Sequence, residues 1–230
     1  MNTATQAGSE QDVRVWIPGA TLEGALTVPA GASGVVLFAH GSGSGRHSPR
    51  NRFVAEQLQK AGLATLLIDL LTMDEEQIDV RTRHLRFDIG LLAERLCGAI
   101  EWLAAHPPTR GLRVGLFGAS TGGAAAIVAA AREPGKVGAV VSRGGRPDLA
   151  GDALPAALCP TLLIVGGEDE TVLELNRDAL ARLAAPVKEL VVVPGASHLF
   201  EEPGKLEEVA RLAADWFGRH LGTGGGTYSG

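Results

Sequence analysis

The strongest constraint on the fold is a segment in which an apolar run meets a glycine-rich turn around one serine. The run 112–117 leads into Gly-Ala-Ser-Thr-Gly at 118–122, and an alanine-rich helical stretch follows. A strand, a sharp turn and a helix place Ser120 at the apex, where flanking glycines leave room for strained backbone and close packing. Such strain costs roughly 1–3 kcal/mol and is concentrated at functional sites. The segment therefore predicts a nucleophilic hydroxyl at the end of a strand.

Apolar runs and helical stretches alternate along the rest of the chain. The sequence predicts a hairpin of strands over 13–17 and 21–28, and further strands at 34–39, 64–69, 113–117, 137–142, 161–165 and 189–193. Helices are predicted over 48–61, 86–106, 122–132, 172–183 and 205–220, with an acidic connection at 70–80. This alternation indicates an α/β fold with a mostly parallel sheet of seven or eight strands, flanked by helices.

The length and composition favour one domain. We expect a single domain over residues 12–221, with a polar segment 1–11 and a glycine-rich segment 222–230 as flexible termini. Only about 20 residues separate the strands at 137–142 and 161–165, too few for a large lid domain.

Charge and cysteine usage exclude several classes of function. A net charge of −5 argues against nucleic-acid binding and against a polybasic membrane anchor. The sequence shows no apolar signal core and no run of about 20 apolar residues, so we expect no membrane association. Two cysteines do not make a disulfide framework, and we expect a cytoplasmic protein.

Three reactive side chains follow three predicted strands. Ser120, Asp169 and His198 each come shortly after an apolar run, and the carboxyl ends of parallel strands meet at one edge of a sheet. A serine hydroxyl needs a base to become a good nucleophile, and a carboxylate fixes the tautomer of that base. We predict Ser120 as nucleophile, His198 as base and Asp169 as the orienting acid. The acidic neighbours Glu168 and Glu170, and also Asp148, remain alternatives for the acid.

A glycine-rich loop, residues 40–45, directly follows the predicted strand 34–39. Attack on a carbonyl creates an oxyanion that needs fixed N–H donors, and we predict the N–H of Thr121 together with that of Gly41 or Ser42. A rival interpretation is a phosphate-binding loop. The dinucleotide fingerprint needs glycine where Arg46 stands, and no Gly-Lys-Ser/Thr is present, so the hydrolytic interpretation is favoured.

These motifs resemble the α/β-hydrolase superfamily and, within it, the small dienelactone hydrolase-like group. The resemblance covers roughly residues 13–221 and rests on His40-Gly41, the turn 118–122, Gly167-Glu168-Asp169 and Ser197-His198-Leu199. It implies the α/β-hydrolase fold and a Ser-Asp-His triad. Enzymes that act on dienelactone itself typically carry cysteine where this chain has Ser120, which favours general ester or thioester hydrolysis.

The expected activity is hydrolysis of a carboxylic ester, thioester or lactone of a small soluble substrate through an acyl-enzyme, with no cofactor and no metal. Two alternatives stay open: non-hydrolytic acyl transfer, lyase or perhydrolase chemistry on the same fold, and a catalytically silent binding protein. The sequence does not predict the oligomeric state.

Three residues are candidates for substrate binding. Arg143 follows a strand on the reactive edge and is suited to hold a substrate carboxylate or phosphate. An ion pair with Asp148, Asp152 or one of residues 168–170 is the equally weighted alternative. Arg46 is a second candidate at the entrance, and His40 is a third, although shaping the glycine-rich loop is its more natural role.

Overall fold

The computed structural model describes residues 8–222. The predicted flexible termini fall largely outside the described residues, and the first strand begins at Gln11.

Eight strands form one sheet. They are β1 (Gln11–Ile17), β2 (Ala20–Thr27), β3 (Val35–Ala39), β4 (Ala64–Ile68), β5 (Val114–Ala119), β6 (Val137–Arg143), β7 (Thr161–Gly166) and β8 (Lys188–Val193). Their order across the sheet is β1-β2-β4-β3-β5-β6-β7-β8. The β1–β2 and β2–β4 pairs are antiparallel and the remaining pairs are parallel. The mostly parallel sheet predicted from the sequence is confirmed.

Helices cover both faces of the sheet. They are α1 (Pro49–Lys60), α2 (Met73–Thr82), α3 (Ile89–Ala105), α4 (Thr121–Arg132), α5 (Glu170–Arg182) and α6 (Lys205–Leu221), with 3₁₀ segments at Leu85–Phe87 and Pro147–Ala156. Helices α1 and α6 share one apolar core with the sheet, and α3, α4 and α5 contribute to the core on the opposite face. No lid domain is seen in residues 8–222, as expected.

Helix α4 is the most deeply buried helix among residues 8–222. Ten consecutive residues, Thr121 to Ala130, are buried. Most of their side chains are small, so the helix can pack closely against the sheet. The nucleophile candidate Ser120 therefore stands on a rigid support.

The predicted acidic connection at 70–80 is wrong, because most of it forms α2. Thr72 and Glu75 make a reciprocal capping box, and Asp74, Glu75 and Glu76 lie in the first turn, where acidic side chains suit the helix dipole. Asp79 is its only buried residue. A helix without an apolar stripe shows no hydrophobic periodicity, so the capping residues Thr72 and Glu75 are the sequence signal that indicates this helix.

None of the helices in the described part of the chain combines the length and apolar character that a membrane crossing requires.

Candidate active site

Ser120 lies at a strained turn between β5 and α4. Its backbone has φ 51° and ψ −121°, in a region that residues with a side chain rarely adopt. A Cβ added to Gly118 would lie 2.4 Å from the carbonyl oxygen of Gly122, and one added to Gly122 would lie 2.1 Å from that of Ala39. Both glycines are therefore required by close backbone contact. The structure has the tight strand–serine–helix turn that the sequence predicted.

His198 and Asp169 form a hydrogen-bonded pair. Asp169 follows β7, His198 follows β8, and the His198 Nδ1 lies 2.6 Å from Asp169 Oδ2. When the carboxylate is ionised, Nδ1–H donates to it, which leaves Nε2 with a free lone pair. Of the other acids considered, Glu168 and Glu170 are exposed and Asp148 pairs with Arg146 at 2.8 Å. The structure thus selects Asp169 as the partner of His198.

Ser120 and His198 line one cavity of about 210 Å³, here called the Ser120 cavity. Its wall also includes Ser48, Arg50, Asn51 and Arg143. Among residues 8–222 the Ser120 hydroxyl forms no hydrogen bond, and catalytic hydrogen bonds commonly tighten only when substrate binds. The arrangement places the Ser120 hydroxyl and the His198 imidazole around one small space.

The end of β6 packs directly against the His198 loop. A Cβ on Gly144, which has φ 49°, would lie 3.1 Å from the His198 carbonyl oxygen and 3.6 Å from its ring Cε1. The buried Asn176 donates to the Gly145 carbonyl at 3.0 Å. On the other side, Glu202 accepts from the Ser197 N–H at 3.1 Å. Hydrogen bonds from the Ser197 side chain and, to a smaller extent, from backbone N–H groups lower the pKa of the Glu202 carboxyl. Both flanks of the imidazole are held by such contacts.

The glycine-rich loop packs on the turn that carries Ser120. The Ser42 N–H donates to the Thr121 hydroxyl at 3.1 Å, and a Cβ on Gly41 would lie 3.0 Å from the Ser120 Cβ. The two halves of the predicted oxyanion hole are therefore in contact. To serve an oxyanion, the Ser42 N–H has to leave the Thr121 hydroxyl, and the choice between Gly41 and Ser42 stays a prediction.

His40 is held between two backbone segments. Its Nε2 accepts from the Leu70 N–H at 3.0 Å, and its Nδ1 lies 2.9 Å from the Gly41 carbonyl oxygen. Burial is the main cause that lowers its pKa, against the smaller effects of the Gly41 carbonyl and nearby acids. Both ring nitrogens are engaged, so His40 anchors the glycine-rich loop. A substrate contact by His40 stays a prediction.

Arg46 faces a different space from Ser120. Its backbone N–H donates to Asp69 Oδ1 at 2.7 Å, and its guanidinium pairs with the same carboxylate. It lines an open cleft of about 1280 Å³ that adjoins the Ser120 cavity. We call this space the acidic cleft because Glu23, Asp69, Asp74 and Glu76 line it. A substrate contact by Arg46 stays a prediction, and it applies to this cleft.

Arg143 is buried without a counter-ion. The residue is only 7% exposed, and within residues 8–222 it makes none of the ion pairs that the sequence left open. Its Nη2 lies 3.5 Å from Asn51 Oδ1, whereas Nε and Nη1 have no partner in the described chain. Burial and, to a smaller extent, the charge of Arg50 lower the pKa of Arg143 to about 10, which leaves it charged at neutral pH.

Sequence reasoning missed two polar residues of the cavity wall, Arg50 and Asn51. Asn51 is buried in phase with the apolar stripe of α1, which continues through Val54, Ala55 and Leu58. A polar residue at an apolar position of a helix is the signal that would have pointed to it. Arg50 offered no comparable signal, because charged residues are common in exposed first turns.

The cysteines lie outside the site. Cys97 and Cys159 are both free, and burial raises the pKa of each thiol, that of Cys159 to about 11. In the described residues no group of three or more His, Cys, Asp or Glu side chains is arranged to hold a metal ion.

Comparison with known proteins points to one family. The family model described as "Dienelactone hydrolase family" matches residues 22–221. A crystal structure of a dienelactone hydrolase from Anabaena variabilis is 64% identical, with a TM-score of 0.91 over 93% of this chain and 99% of that chain. Est1E from Butyrivibrio proteoclasticus shares the fold at 17% identity, with a TM-score of 0.75 over 91% of this chain and 98% of that one.

Curated relatives from Mycobacterium tuberculosis are longer proteins. Two of them, each named "Putative phosphoribosyl transferase", are 58% identical over 212 residues, which is 92% of this chain and 47% of theirs. The chain therefore spans about half the length of the curated relatives it matches.

Proposed function

The chain belongs to the dienelactone hydrolase family, and we propose from this membership and the site's geometry that it is a serine hydrolase that cleaves carboxylic esters through an acyl-enzyme. One observation carries the proposal. The strained Ser120 opens into the same cavity as His198, whose Nδ1 is held by Asp169 at 2.6 Å. A nucleophile, a base and an orienting carboxylate are the components of serine hydrolysis.

In the first half-reaction the Ser120 Oγ attacks the ester carbonyl carbon while His198 Nε2 takes the hydroxyl proton. The carbonyl electron pair moves to oxygen and gives a tetrahedral oxyanion. When that oxyanion collapses, the ester C–O bond breaks and the imidazolium returns its proton to the leaving alcohol. The products are free alcohol and an acyl group on Ser120.

The oxyanion is stabilised by N–H groups around the turn. Thr121 is the first residue of α4, so its N–H lies at the positive end of the helix dipole, and Gly41 or Ser42 supplies the second donor. Asp169 keeps the imidazole in the required tautomer and stabilises its charged form. Each lost donor of this type typically lowers the rate about 10²- to 10³-fold.

The second half-reaction repeats these steps with water. His198 Nε2 removes a proton from water, the resulting hydroxide adds to the acyl carbon, and collapse expels the Ser120 Oγ, which is reprotonated. The carboxylic acid leaves and the free enzyme is restored. No electron donor or metal enters this scheme.

The size of the site favours small esters, thioesters or lactones. The Ser120 cavity holds about 210 Å³, roughly seven times the volume that one water molecule occupies in the liquid. A larger group of the substrate extends past the shared residues Ser42, Ser44, Ser48 and Arg50 into the acidic cleft. We propose this cleft as the site of the larger group.

Acyl transfer to an acceptor other than water follows the same first half-reaction. Product analysis in the presence of competing alcohols, thiols or peroxide separates hydrolysis from transfer and perhydrolysis. Dominant hydrolysis at millimolar acceptor is the result that we expect.

Intact-mass spectrometry after treatment with a fluorophosphonate tests the nucleophile. The wild type is expected to gain one adduct that maps to Ser120, Ser120→Ala is expected to gain none, and the distant Ser33→Ala serves as the matched control that labels like wild type. An unlabelled wild type, or an adduct retained in Ser120→Ala, would contradict the assignment of Ser120 as the nucleophile.

A further inference from the structure

The four residues 143–146, here called the bridging segment, contact both Ser120 and His198. The Ser120 N–H donates to the carbonyl of the first residue of this segment at 3.3 Å, and the N–H of its last residue donates to the Ser120 carbonyl at 3.0 Å. Gly144 packs on the His198 loop, where a Cβ would lie 3.1 Å from the His198 carbonyl oxygen. The placement of the bridging segment therefore sets the placement of Ser120 relative to His198.

Asn176 of α5 is bonded to the bridging segment. The residue is fully buried, and its Nδ2 donates to the Gly145 carbonyl at 3.0 Å and to the Val172 carbonyl at 2.7 Å. Because both neighbours are acceptors, the amide group has one productive orientation. Its Oδ1 has no partner within residues 8–222. Burial of this unpaired oxygen costs free energy that an apolar side chain would avoid, which indicates a role for Asn176 beyond packing.

The same helix carries Asp169. Asp169 is the N-cap residue of α5, but its side chain makes no capping hydrogen bond, and its carboxylate lies 2.6 Å from His198 Nδ1 instead. An aspartate at this position usually accepts an N–H of the first helical turn. Asn176 follows seven residues later, a spacing that returns to the same side of a helix. The position of α5, which Asn176 ties to the bridging segment, therefore sets where the carboxylate meets the imidazole.

Together these contacts form a closed circuit around the three reactive side chains. Ser120 is bonded to the bridging segment, and Asn176 joins that segment to α5. Helix α5 carries Asp169, which holds His198, and the His198 loop packs back on the bridging segment. Catalytic groups have to be held within about 0.5 Å of the productive geometry, and a misplacement of about 1 Å can cost about 100-fold in rate.

We propose, building on the serine hydrolase function above, that Asn176 is a positioning residue of the reaction. Its hydrogen bond to Gly145 fixes the helix that carries Asp169 against the segment that supports Ser120 and His198. Asn176 is not among the residues that line the Ser120 cavity, so it acts on the chemical step and not on substrate binding.

Asn176→Leu tests this role through the split between kcat and KM. Leucine keeps the branch point of the side chain and removes both N–H donors. With p-nitrophenyl acetate, kcat is expected to fall about 10- to 100-fold while KM stays within about threefold of wild type. Leu183→Ala is the matched control, because Leu183 is buried at the far end of α5 and its truncation weakens the same helix. Its kcat should stay within about threefold of wild type.

Asn176→Ser separates the two hydrogen bonds of Asn176. A serine in a helix can donate to the carbonyl four residues earlier, here Val172, but its shorter side chain does not reach Gly145. The same 10- to 100-fold loss of kcat is therefore expected at about the same KM. Should Asn176→Leu fail to fold, Asn176→Ser decides the question.

Proton NMR separates the positioning role from the serine hydrolase function. The proton that His198 Nδ1 donates to Asp169 across 2.6 Å is expected to give a far-downfield resonance in wild type and in Leu183→Ala. In the folded Asn176 variants this resonance should shift or broaden, whereas a residue that only stabilises the fold would leave it unchanged. If fluorophosphonate does not label Ser120 but the resonance depends on Asn176, the positioning role stands and the hydrolase assignment fails.

Wild-type kcat and an unchanged resonance in the folded Asn176 variants would overturn the positioning role, as would equal losses in Leu183→Ala. If Ser120 is still labelled by fluorophosphonate in that case, the serine hydrolase function stands without it.

Discussion

The two sides of the candidate active site are built in different ways. On the catalytic side, Ser120 is fixed by backbone contacts of Gly118 and Gly122, and His198 is fixed by Asp169 and by close packing on Gly144. On the binding side, the wall consists of long side chains, Arg143 and Arg50, of which Arg143 has no counter-ion in the described chain. We therefore expect substitutions on the catalytic side to abolish turnover of every ester. Substitutions on the binding side should instead change the ratio of kcat/KM between different esters.

The largest expected effect is that of Asp169→Asn. An amide does not hold His198 in the required tautomer, so we expect kcat to fall about 10⁴-fold for neutral and anionic esters alike. Steady-state kinetics on monoethyl succinate, which carries a carboxylate, and on ethyl succinamate, its neutral amide analogue, measure this. Glu168→Gln, an exposed neighbour, is the control and should remain within about twofold. A selective loss for one ester would break the division between the two sides.

A smaller, selective effect is expected for Asn51→Leu. Removing the Asn51 oxygen takes away the one hydrogen bond that the Arg143 guanidinium makes within residues 8–222 and should alter the ratio of kcat/KM between monoethyl succinate and ethyl succinamate by about three- to tenfold. The kcat for the neutral ester should stay within about threefold. An equal drop for both esters would show that Asn51 supports the fold and not the substrate contact predicted for Arg143.

Arg46→Met sharpens the comparison between the two arginines. Arg46 is paired with the partly exposed Asp69, so its loss should lower the free energy of unfolding by about 0.5–1 kcal/mol. It should shift the ratio of kcat/KM between the two esters by less than about threefold, because it lies on the acidic cleft. Chemical denaturation and the paired kinetics measure both quantities. A shift as large as that caused by Arg143→Met would refute the distinction between paired and unpaired arginines.

The smallest effect concerns pH. Burial lowers the pKa of His40, so below its unfolded value of 6.5 the unfolded chain binds more protons than the folded one. The contribution of His40 to stability is fully present above that pH and falls as pH decreases. His106 and His220 shift in the same direction, so His40→Gln should reduce, without abolishing, the loss of unfolding free energy between pH 7 and pH 5. An unchanged slope would contradict this.

The turn around Ser120 and the meeting of Asp169 and His198 were predictable from the sequence because their signals are local. The turn at 118–122 needs glycines at fixed positions, and Asp169 and His198 follow strands whose carboxyl ends must meet at one edge. The fold followed from the same alternation of strands and helices. Helix α2 was missed because its apolar residues Met73, Ile78 and Val80 are exposed and do not form a buried helical stripe, while capping marks its start.

The binding side was less predictable because it depends on pairings between distant segments. Arg46 and Arg143 are both arginines near strand ends, and only the folded structure shows that Asp69 neutralises the first while the second has no counter-ion within residues 8–222. Asn51 comes from a helix more than 60 residues before Ser120 in the chain. Such contacts are set by tertiary packing, which a single sequence does not display.

Quenched-flow mass spectrometry during turnover of monoethyl succinate tests the central claim most directly. The account predicts a transient succinyl adduct on the peptide that contains Ser120 in wild type and none in Ser120→Ala. Steady hydrolysis in Ser120→Ala, or an adduct on any other residue, would contradict it.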